Sequence, residues 1–206
     1  MGKFITFEGI EGCGKSTQIQ LLAEWLTSIG KSVVLTREPG GTELGEQIRA
    51  LLKGGCAGEI FSSKAELLLF EASRAQHVEG KILPALARGD DVLCDRFFDS
   101  SIVYQGVARK IFRADVAFLN NFATDGLLPD LTIIVDITPE ESVERLLKRG
   151  DQLDRIERES VKFFGDVRNG YLSIAEGDPR FLLVEGNQNV SDIQDEIRKE
   201  YGARFM

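Results

Sequence analysis

The eight residues from Gly9 to Ser16 constrain the fold of this chain more than any other segment. They fit the pattern G-x-x-x-x-G-K-[ST], in which successive backbone N–H groups can surround a phosphate. A short apolar stretch at 4–7, typical of a strand, comes before the loop. After the loop, apolar residues recur at helical spacing, namely Ile19, Leu22, Leu26 and Ile29. Strand, glycine loop and helix in this order predict a phosphate-binding loop at a helix N-terminus, where the helix dipole favours anions.

We expect this loop to bind the phosphates of ATP. Lys15 would reach the outer phosphates, and the hydroxyl of Ser16 would be a ligand of Mg²⁺. A glycine-rich turn that binds no phosphate is the alternative interpretation, and the complete motif between a strand and a helix argues against it. The predicted ATP-binding residues are Gly9, Ile10, Glu11, Gly12, Cys13, Gly14, Lys15, Ser16 and Thr17.

The composition is that of an ordinary globular domain with an acidic surface. The chain has 206 residues, 43% of them hydrophobic, and a formal net charge of −8. We expect a single domain over residues 1–206. The acidic balance argues against a protein that coats nucleic acid, although local cations can still bind phosphates. No charged-then-apolar leader and no apolar run of about 20 residues is visible, so we expect neither a secretion signal nor a membrane partner.

The cysteines and the single histidine carry no recognisable site. Cys13, Cys56 and Cys94 show no C-x-x-C spacing, which favours a reducing compartment, a cytoplasmic location and no disulfides. Redox control of the loop through Cys13 is an alternative that no other feature of the sequence favours. His77 has no partner at metal-ligand spacing, so we interpret it as structural. We expect Trp25 to lie on the buried face of the first helix.

Strands and helices alternate along the chain. Apolar runs predict five strands, at 3–8, 32–36, 91–95, 131–136 and 181–185. Beyond the helix after the loop, the pattern predicts helices at 44–52, 65–86, 116–123, 139–149, 156–175 and 191–201. Pro84 should bend or interrupt its helix, and Ser191 should cap the last one. Alternation of this kind predicts an α/β fold with a five-stranded, mainly parallel sheet and helices on both faces.

Polar residues that follow the strands are the candidates for a site, because ligands bind beyond the carboxyl ends of parallel strands. The third strand ends in Asp95, the form of a Walker B element, and we expect Asp95 to orient Mg²⁺ or its waters. Arg96 follows directly and could bind an acceptor phosphate through two parallel hydrogen bonds. A salt bridge at the strand end is the alternative.

Four segments of the sequence together resemble one family. In order they are FEGIEG at 7–12, TREPGGT at 36–42, DRF with SS and YQG at 95–106, and LDRIE at 153–157. The loop alone is shared by many families, whereas the second and third segments are far more specific. From residue 4 to about 185 the chain is similar to bacterial thymidylate kinases, which transfer a phosphate from ATP to thymidine monophosphate (dTMP). The resemblance implies the P-loop NTPase fold, ATP with Mg²⁺, and a homodimer.

The resemblance also implies a dTMP site, residue by residue. Phe70 would stack on thymine, and Arg74, four residues later, would hydrogen-bond the edge of the base. Ser101 and Gln105 would line the same slot, with Tyr104 near the deoxyribose. The remaining implied dTMP residues are Glu11 at the sugar or the metal-water shell, Pro39 after a cis peptide bond, and Arg37, Arg49 and Arg96 at the acceptor phosphate.

A mobile cation is implied for the transfer itself. Some thymidylate kinases carry an arginine inside the loop, but positions 10–13 hold no basic residue here. The segment at about 148–156 resembles the lid of the subtype that supplies the arginine from there, with Arg149 or Arg155 in that role. Together with Lys15 and Arg96 these are the predicted catalytic residues. Glu157 would lie near the sugar or the metal, and a solvated helix end is the alternative for Arg149.

Other functions remain as alternatives at this point. The same chemistry could act on another pyrimidine monophosphate. A regulatory GTPase would need an N-K-x-D element, which the sequence lacks, and an ATPase on nucleic acid is disfavoured by the acidic charge. A dimer could form through helix faces around 67–70 or Val103.

Overall fold

The computed structural model describes residues 2–55, 60–150 and 152–206. Its sheet has five strands, all pairings are parallel, and the order is β2-β3-β1-β4-β5. The strands are β1 Phe4–Glu8, β2 Val33–Arg37, β3 Asp91–Asp95, β4 Leu131–Asp136 and β5 Phe181–Glu185. The predicted fold class and the five predicted strands are therefore confirmed, with β1 and β2 each starting one residue later than expected.

The described residues form nine α-helices and two short π-helical segments, Val78–Ile82 and Ile102–Ala108. The helices are α1 Lys15–Ser28, α2 Glu43–Gly54, α3 Ser63–His77, α4 Leu83–Arg88, α5 Phe98–Ser101, α6 Arg113–Thr124, α7 Pro139–Arg149, α8 Val161–Ala175 and α9 Val190–Phe205. Sequence periodicity missed α5 and the π-helical segment after it, because this stretch is short and its buried residues do not follow the spacing of an α-helix.

Burial explains why the central strands are apolar throughout. β1 is covered on both faces: Ile5 and Phe7 belong to a large core cluster, whereas Phe4 belongs to a smaller one on the opposite face. Two threonines in the sheet centre, Thr6 and Thr132, satisfy each other's hydroxyls at 2.8 Å. Alternation of β1 between two clusters is the physical basis for helices on both faces of the sheet.

Two helix starts and one helix cap in the C-terminal part of the chain differ from the prediction. The helix predicted from 156 begins at Val161, because the Ser160 side chain caps it by accepting from Phe163. Residues 156–159 form a turn instead, with the N–H groups of Ile156 and Glu157 donating to Asp154. The last helix begins at Val190 with Asn189 in the cap position, so Ser191 lies inside the first turn and is not its cap.

Two apolar side chains, one in α1 and one directly after it, are less buried than expected. One predicted dimer contact is also excluded. Trp25 is half-buried against the edge of the core, and Ile29 is exposed. Val103 has an exposed fraction of 0% and lies against Gly170 of α8. It therefore packs inside the protein and cannot lie on a dimer face.

Pro84 lies in the first turn of α4, directly after the π-helical segment Val78–Ile82. A proline is tolerated there because the first N–H groups of a helix have no intrahelical partner. The long helix predicted over 65–86 is thus interrupted over 78–82, just before Pro84, and continues past it to Arg88. None of the described helices is both long enough and apolar enough to cross a bilayer.

Side-chain caps give a direct test of these helix starts. Thr138 caps α7 by accepting from the N–H of Glu141, while the Glu141 side chain accepts from the N–H of Thr138. Thr138→Ala should lower the free energy of unfolding by about 1 kcal/mol. Ser191→Ala, the matched control at a non-capping position, should change it by less than ~0.5 kcal/mol. Urea denaturation measures both, and a larger loss at Ser191 would contradict the assigned start of α9.

Candidate active site

A cavity of about 500 Å³ opens at the carboxyl edge of the sheet. It is lined by the loop after β1, the turn after β2, the end of β3, and parts of α2, α3, α7 and the stretch after α7. Sixteen predicted site residues line it, namely Glu11, Gly12, Gly14, Lys15, Ser16, Thr17, Arg37, Pro39, Arg49, Phe70, Asp95, Arg96, Ser101, Tyr104, Gln105 and Arg149. Parallel strands bring the ends of distant sequence segments to one edge, which is why these residues meet.

Five other predicted residues lie outside the described lining of this cavity, namely Gly9, Ile10, Cys13, Arg74 and Arg155. Ile10 and Cys13 are buried beneath the loop. Gly9 has φ of 134°, and a Cβ there would approach the carbonyl oxygen of Val135 to 2.4 Å. Only glycine fits that contact, so Gly9 fixes the path of the loop from behind.

The loop folds around the ammonium group of Lys15. Its Nζ donates to the carbonyl oxygens of Gly9 and Ile10, each at 3.0 Å. The N-cap of α1 is Gly14, in a left-handed conformation with φ of 103°. Free N–H groups of this helix start and the Lys15 ammonium therefore face the same anion-binding hollow.

Ser16 and Asp95 meet where β3 ends beside the start of α1. The hydroxyl of Ser16 donates to Oδ2 of Asp95 at 3.1 Å. Hydroxyl and carboxylate oxygens are the hard ligands that Mg²⁺ prefers. Among the described residues no group of three or more His, Cys, Asp or Glu side chains could hold a metal by itself. The donor set fits a Mg²⁺ ion that takes most of its ligands from phosphate and water.

Arg96 is held in the cavity wall by the turn that follows β3. Its backbone is left-handed, with φ of 71°. Its guanidinium donates to Glu11 at 2.9 Å and lies 5.0 Å from the ring centroid of Tyr104. Burial alone would lower the pKa of Arg96, but Tyr104 and Glu11 outweigh burial and the pKa is raised. The side chain therefore remains cationic and fixed.

Glu8, at the end of β1, organises this turn from behind and was not singled out by sequence reasoning. It is fully buried, and its carboxylate accepts from the N–H of Phe97 at 2.8 Å, from Ser100 at 2.6 Å and from Tyr171 at 2.7 Å. Ser100 and Tyr171 also contact the guanidinium of Arg96. A charged residue at the end of an apolar central strand is the signal that could have identified it.

A slot at the α3 side of the cavity contains the residues predicted for the base. Phe70, Ser101, Tyr104 and Gln105 line it. The Tyr104 hydroxyl donates to Glu11 at 2.7 Å. Tyr104 thereby connects the slot to the loop, so the residues predicted for the base and those predicted for the phosphates line one cavity.

Arg74 lies behind the slot rather than in its lining. It is 1% exposed and donates to Ser101 at 3.0 Å, to Glu38 at 2.8 Å and to Glu71 at 2.6 Å. Glu38 also binds His77, which is fully buried. Arg74 therefore orients Ser101 from behind. The buried contact of His77 with Glu38 supports the structural role predicted for His77.

Three arginines from different parts of the chain line the same cavity. Arg37 ends β2 and pairs with Glu46 at 2.9 Å. Arg49 of α2 donates to the carbonyl oxygen of Pro39 at 2.8 Å, and the Glu38–Pro39 peptide is cis as expected. With Arg96 they give the cavity three cationic groups in the region predicted for an acceptor phosphate.

The two predicted lid arginines lie in different places. Arg149, the last residue of α7, lines the cavity and pairs with Glu157 at 2.9 Å. Arg155 contacts Glu66 at 2.6 Å and donates to the carbonyl of Leu52. Asp151 of the predicted lid, like Cys56, lies outside the described residues.

Arg145 is a cavity residue that sequence reasoning missed. It contacts the carbonyl oxygen of Cys13 at 3.4 Å and that of Gly186 at 2.9 Å. Arg149 lies four positions further along the chain, so the two lie on one face of α7. That spacing is the signal that could have found it.

The buried carboxylate of Glu8 predicts a measurable pH dependence of stability. Burial, and then Asp99, raises the pKa of Glu8 from 4.5 to about 7. The folded protein thus binds the proton more tightly than the unfolded chain, and the contribution of Glu8 to stability falls as pH rises through this window. Between about pH 4 and about pH 8, the wild type should lose up to ~3 kcal/mol more unfolding free energy than Glu8→Gln.

Urea denaturation at both pH values measures this difference. The exposed control Glu24→Gln should follow the wild type. Identical pH dependence of the wild type and Glu8→Gln would contradict the assignment of Glu8 as a buried titrating group.

Comparisons with known proteins identify the family of this chain. The family model described as thymidylate kinase matches residues 7–197. The thymidylate kinase of Geotalea uraniireducens is 47% identical over 100% of this chain and 99% of its own length. That of Caldanaerobacter subterraneus is also 47% identical, over 96% and 94%. A crystal structure of thymidylate kinase from Ehrlichia chaffeensis has a TM-score of 0.78 at 36% identity and covers 98% of both chains.

Similarity of this extent covers the loop, the base slot and the strand ends together. The chain therefore belongs to the thymidylate kinase family and is an enzyme that phosphorylates dTMP to dTDP.

Proposed function

We propose that the cavity at the carboxyl edge of the sheet binds ATP and dTMP with their phosphates facing each other. The observation that carries this proposal is the convergence of Lys15, Arg96 and Arg149 on one cavity from three separate elements. Phosphoryl transfer needs in-line positioning and positive charge around the transferring group more than covalent help from the protein. The cationic side chains of the cavity would supply the positive charge.

On the donor side, residues 9–17 surround the phosphates of ATP. Lys15 exchanges its carbonyl partners for phosphate oxygens and stabilises the charge that develops during transfer. Ser16 and Asp95 would hold Mg²⁺, directly or through water, and the ion would supply positive charge to the donor phosphates. The Ser16–Asp95 hydrogen bond supports this pair, because it already brings both oxygens together.

On the acceptor side, the slot orients dTMP. Phe70 stacks on the base and Ser101 and Gln105 face its edge, with Arg74 acting behind Ser101. Tyr104 and Glu11 lie near the sugar, where the Tyr104–Glu11 hydrogen bond narrows the space available to it. Arg37, Pro39, Arg49 and Arg96 then hold the phosphate of dTMP towards the donor.

The lid, over about 148–156, covers the reacting phosphates and supplies Arg149. This assigns the chain to the subtype with its arginine in the lid. Arg149 supports the proposal because it lines the cavity at the C-terminus of α7 and is held by Glu157. Closing the lid would exclude water and limit the loss of ATP by hydrolysis.

We also propose that the whole chain, residues 1–206, is one domain that forms a homodimer in the cytoplasm, the compartment where ATP and deoxynucleotides are used. The dimer face fits α3 and α6, which pack side by side. Leu68, Phe118 and Phe122 of these helices are 54%, 69% and 76% exposed. Exposed apolar side chains of this kind on neighbouring helices are typical of a protein interface.

Lys15→Ala should lower kcat about 10²-fold or more, because a cation aimed at the developing charge is lost. Steady-state phosphorylation of dTMP by ATP measures this effect, with a thermal melt to show that folding is intact. Turnover within twofold of the wild type would contradict the assignment of the loop.

Arg149→Ala should lower kcat about 10²-fold and change the KM for dTMP by less than about threefold, because its charge acts mainly during transfer. The neighbouring Lys148 is exposed and pairs with Glu144, so Lys148→Ala is the matched control and should retain activity. A rise in KM alone would make Arg149 a substrate clamp instead.

A further inference from the structure

Glu66 is a buried carboxylate that no step of the proposed mechanism uses. It lies in the first turn of α3, and its side chain is 3% exposed. Donors reach it from two other parts of the chain, the π-helical segment with the residue after it and the stretch after α7. A buried carboxylate needs such partners, because leaving it unpaired would carry the full cost of desolvation.

The first partner belongs to the base slot. Gln105 donates from Nε2 to Oε1 of Glu66 at 2.9 Å. Since a carboxylate only accepts, this contact fixes the orientation of the amide and leaves its carbonyl oxygen for a ligand in the slot. Arg109 donates from Nε to the same oxygen at 3.4 Å, and its guanidinium also donates to Glu159 at 2.6 Å.

The second partner belongs to the lid. Arg155 lies 2.6 Å from Oε2 of Glu66. Its Nε donates to the carbonyl of Leu52 at 3.0 Å, and its guanidinium lies 5.2 Å from the ring centroid of Phe61. Arg155 is therefore engaged with α2 and α3 on the side of Glu66, whereas Arg149 faces the cavity.

Burial on its own would raise the pKa of Glu66, but the hydrogen bond from Gln105 and the charges of Arg109 and Arg155 lower it. The carboxylate thus remains charged. Loss of the contact with Gln105 or Arg155 would leave the buried charge of Glu66 less compensated. Displacing one of these partners therefore changes how strongly Glu66 holds the other.

We propose that Glu66 is a positioning residue that couples the lid to the base slot, and that Arg155 anchors the lid instead of acting on the transferring phosphate. This inference rests on the proposed function of the slot and the lid. When dTMP fixes Gln105, Glu66 is held in place and keeps Arg155 docked, so filling the slot stabilises the closed position of the residues around Arg149.

Limited proteolysis tests the coupling without relying on turnover. Trypsin cleaves after Lys148, Arg149 and Arg158, and mass spectrometry identifies these products. Saturating dTMP should slow their formation about tenfold in the wild type and in the control Glu159→Gln, which alters the same cluster at its rim. In Glu66→Gln, dTMP should bind, as calorimetry verifies, but should protect the lid less than about twofold.

A double-mutant cycle gives the second readout. Glu66→Gln and Arg155→Met should each lower kcat/KM for dTMP about tenfold. The double variant should be no worse than either single variant, because both substitutions remove the same contact between Glu66 and Arg155. Glu66→Gln combined with Arg149→Ala should instead multiply the two losses. Arg155→Met also remains informative if Glu66→Gln folds poorly.

Two outcomes would overturn the proposal. One is full dTMP protection of the lid in Glu66→Gln, and the other is multiplicative losses for Glu66 and Arg155. Normal turnover in Lys15→Ala or Arg149→Ala would instead contradict the proposed function, so the two failures are distinguishable.

Discussion

The site depends on the carboxylate of Glu8, buried where β1 gives way to the phosphate-binding loop. It ties the turn after β3 to α8 through Phe97, Ser100 and Tyr171. Gly9 follows immediately and, without a Cβ, leaves room for the carbonyl oxygen of Val135. The loop can therefore lie against the end of β4. One strand end thus fixes both the glycine loop after β1 and the turn that carries Arg96.

Positive charge is concentrated in one cavity of this protein, although the chain as a whole is acidic. The chain has a net charge of −8, yet Lys15, Arg37, Arg49, Arg96, Arg145 and Arg149 all line one cavity. Each arginine in this group has an oxygen partner, so it keeps its direction while it remains charged. Preorganised cations of this kind stabilise developing charge without reorganising during the reaction.

Much of the fold could be predicted from the sequence, because its signals are local. The loop motif, the apolar strands and the alternation with helices predict the parallel sheet, and strand ends indicate which residues meet. Helix starts were less predictable: Asn189 occupies the cap position next to Ser191, and Asp154 holds residues 156 and 157 in a turn. Such choices depend on tertiary contacts that leave no periodic pattern.

The site was predictable where a motif contains the residue and unpredictable where a partner lies far away in sequence. Arg74 and Arg155 fit the family pattern, but the structure places their guanidinium groups on Glu38 and Glu66 rather than in the cavity lining. Glu8 and Glu66 are separated from their partners by 39 to 163 residues. Their roles follow from geometry alone.

The central claim is that donor and acceptor phosphates meet in one continuous cavity. Calorimetry with adenosine and thymidine joined through an oligophosphate chain tests it most directly. One molecule should bind per chain, about 10²-fold more tightly than ATP or dTMP, and should displace both nucleotides. An affinity no better than that of ATP, with dTMP still able to bind, would contradict a shared cavity.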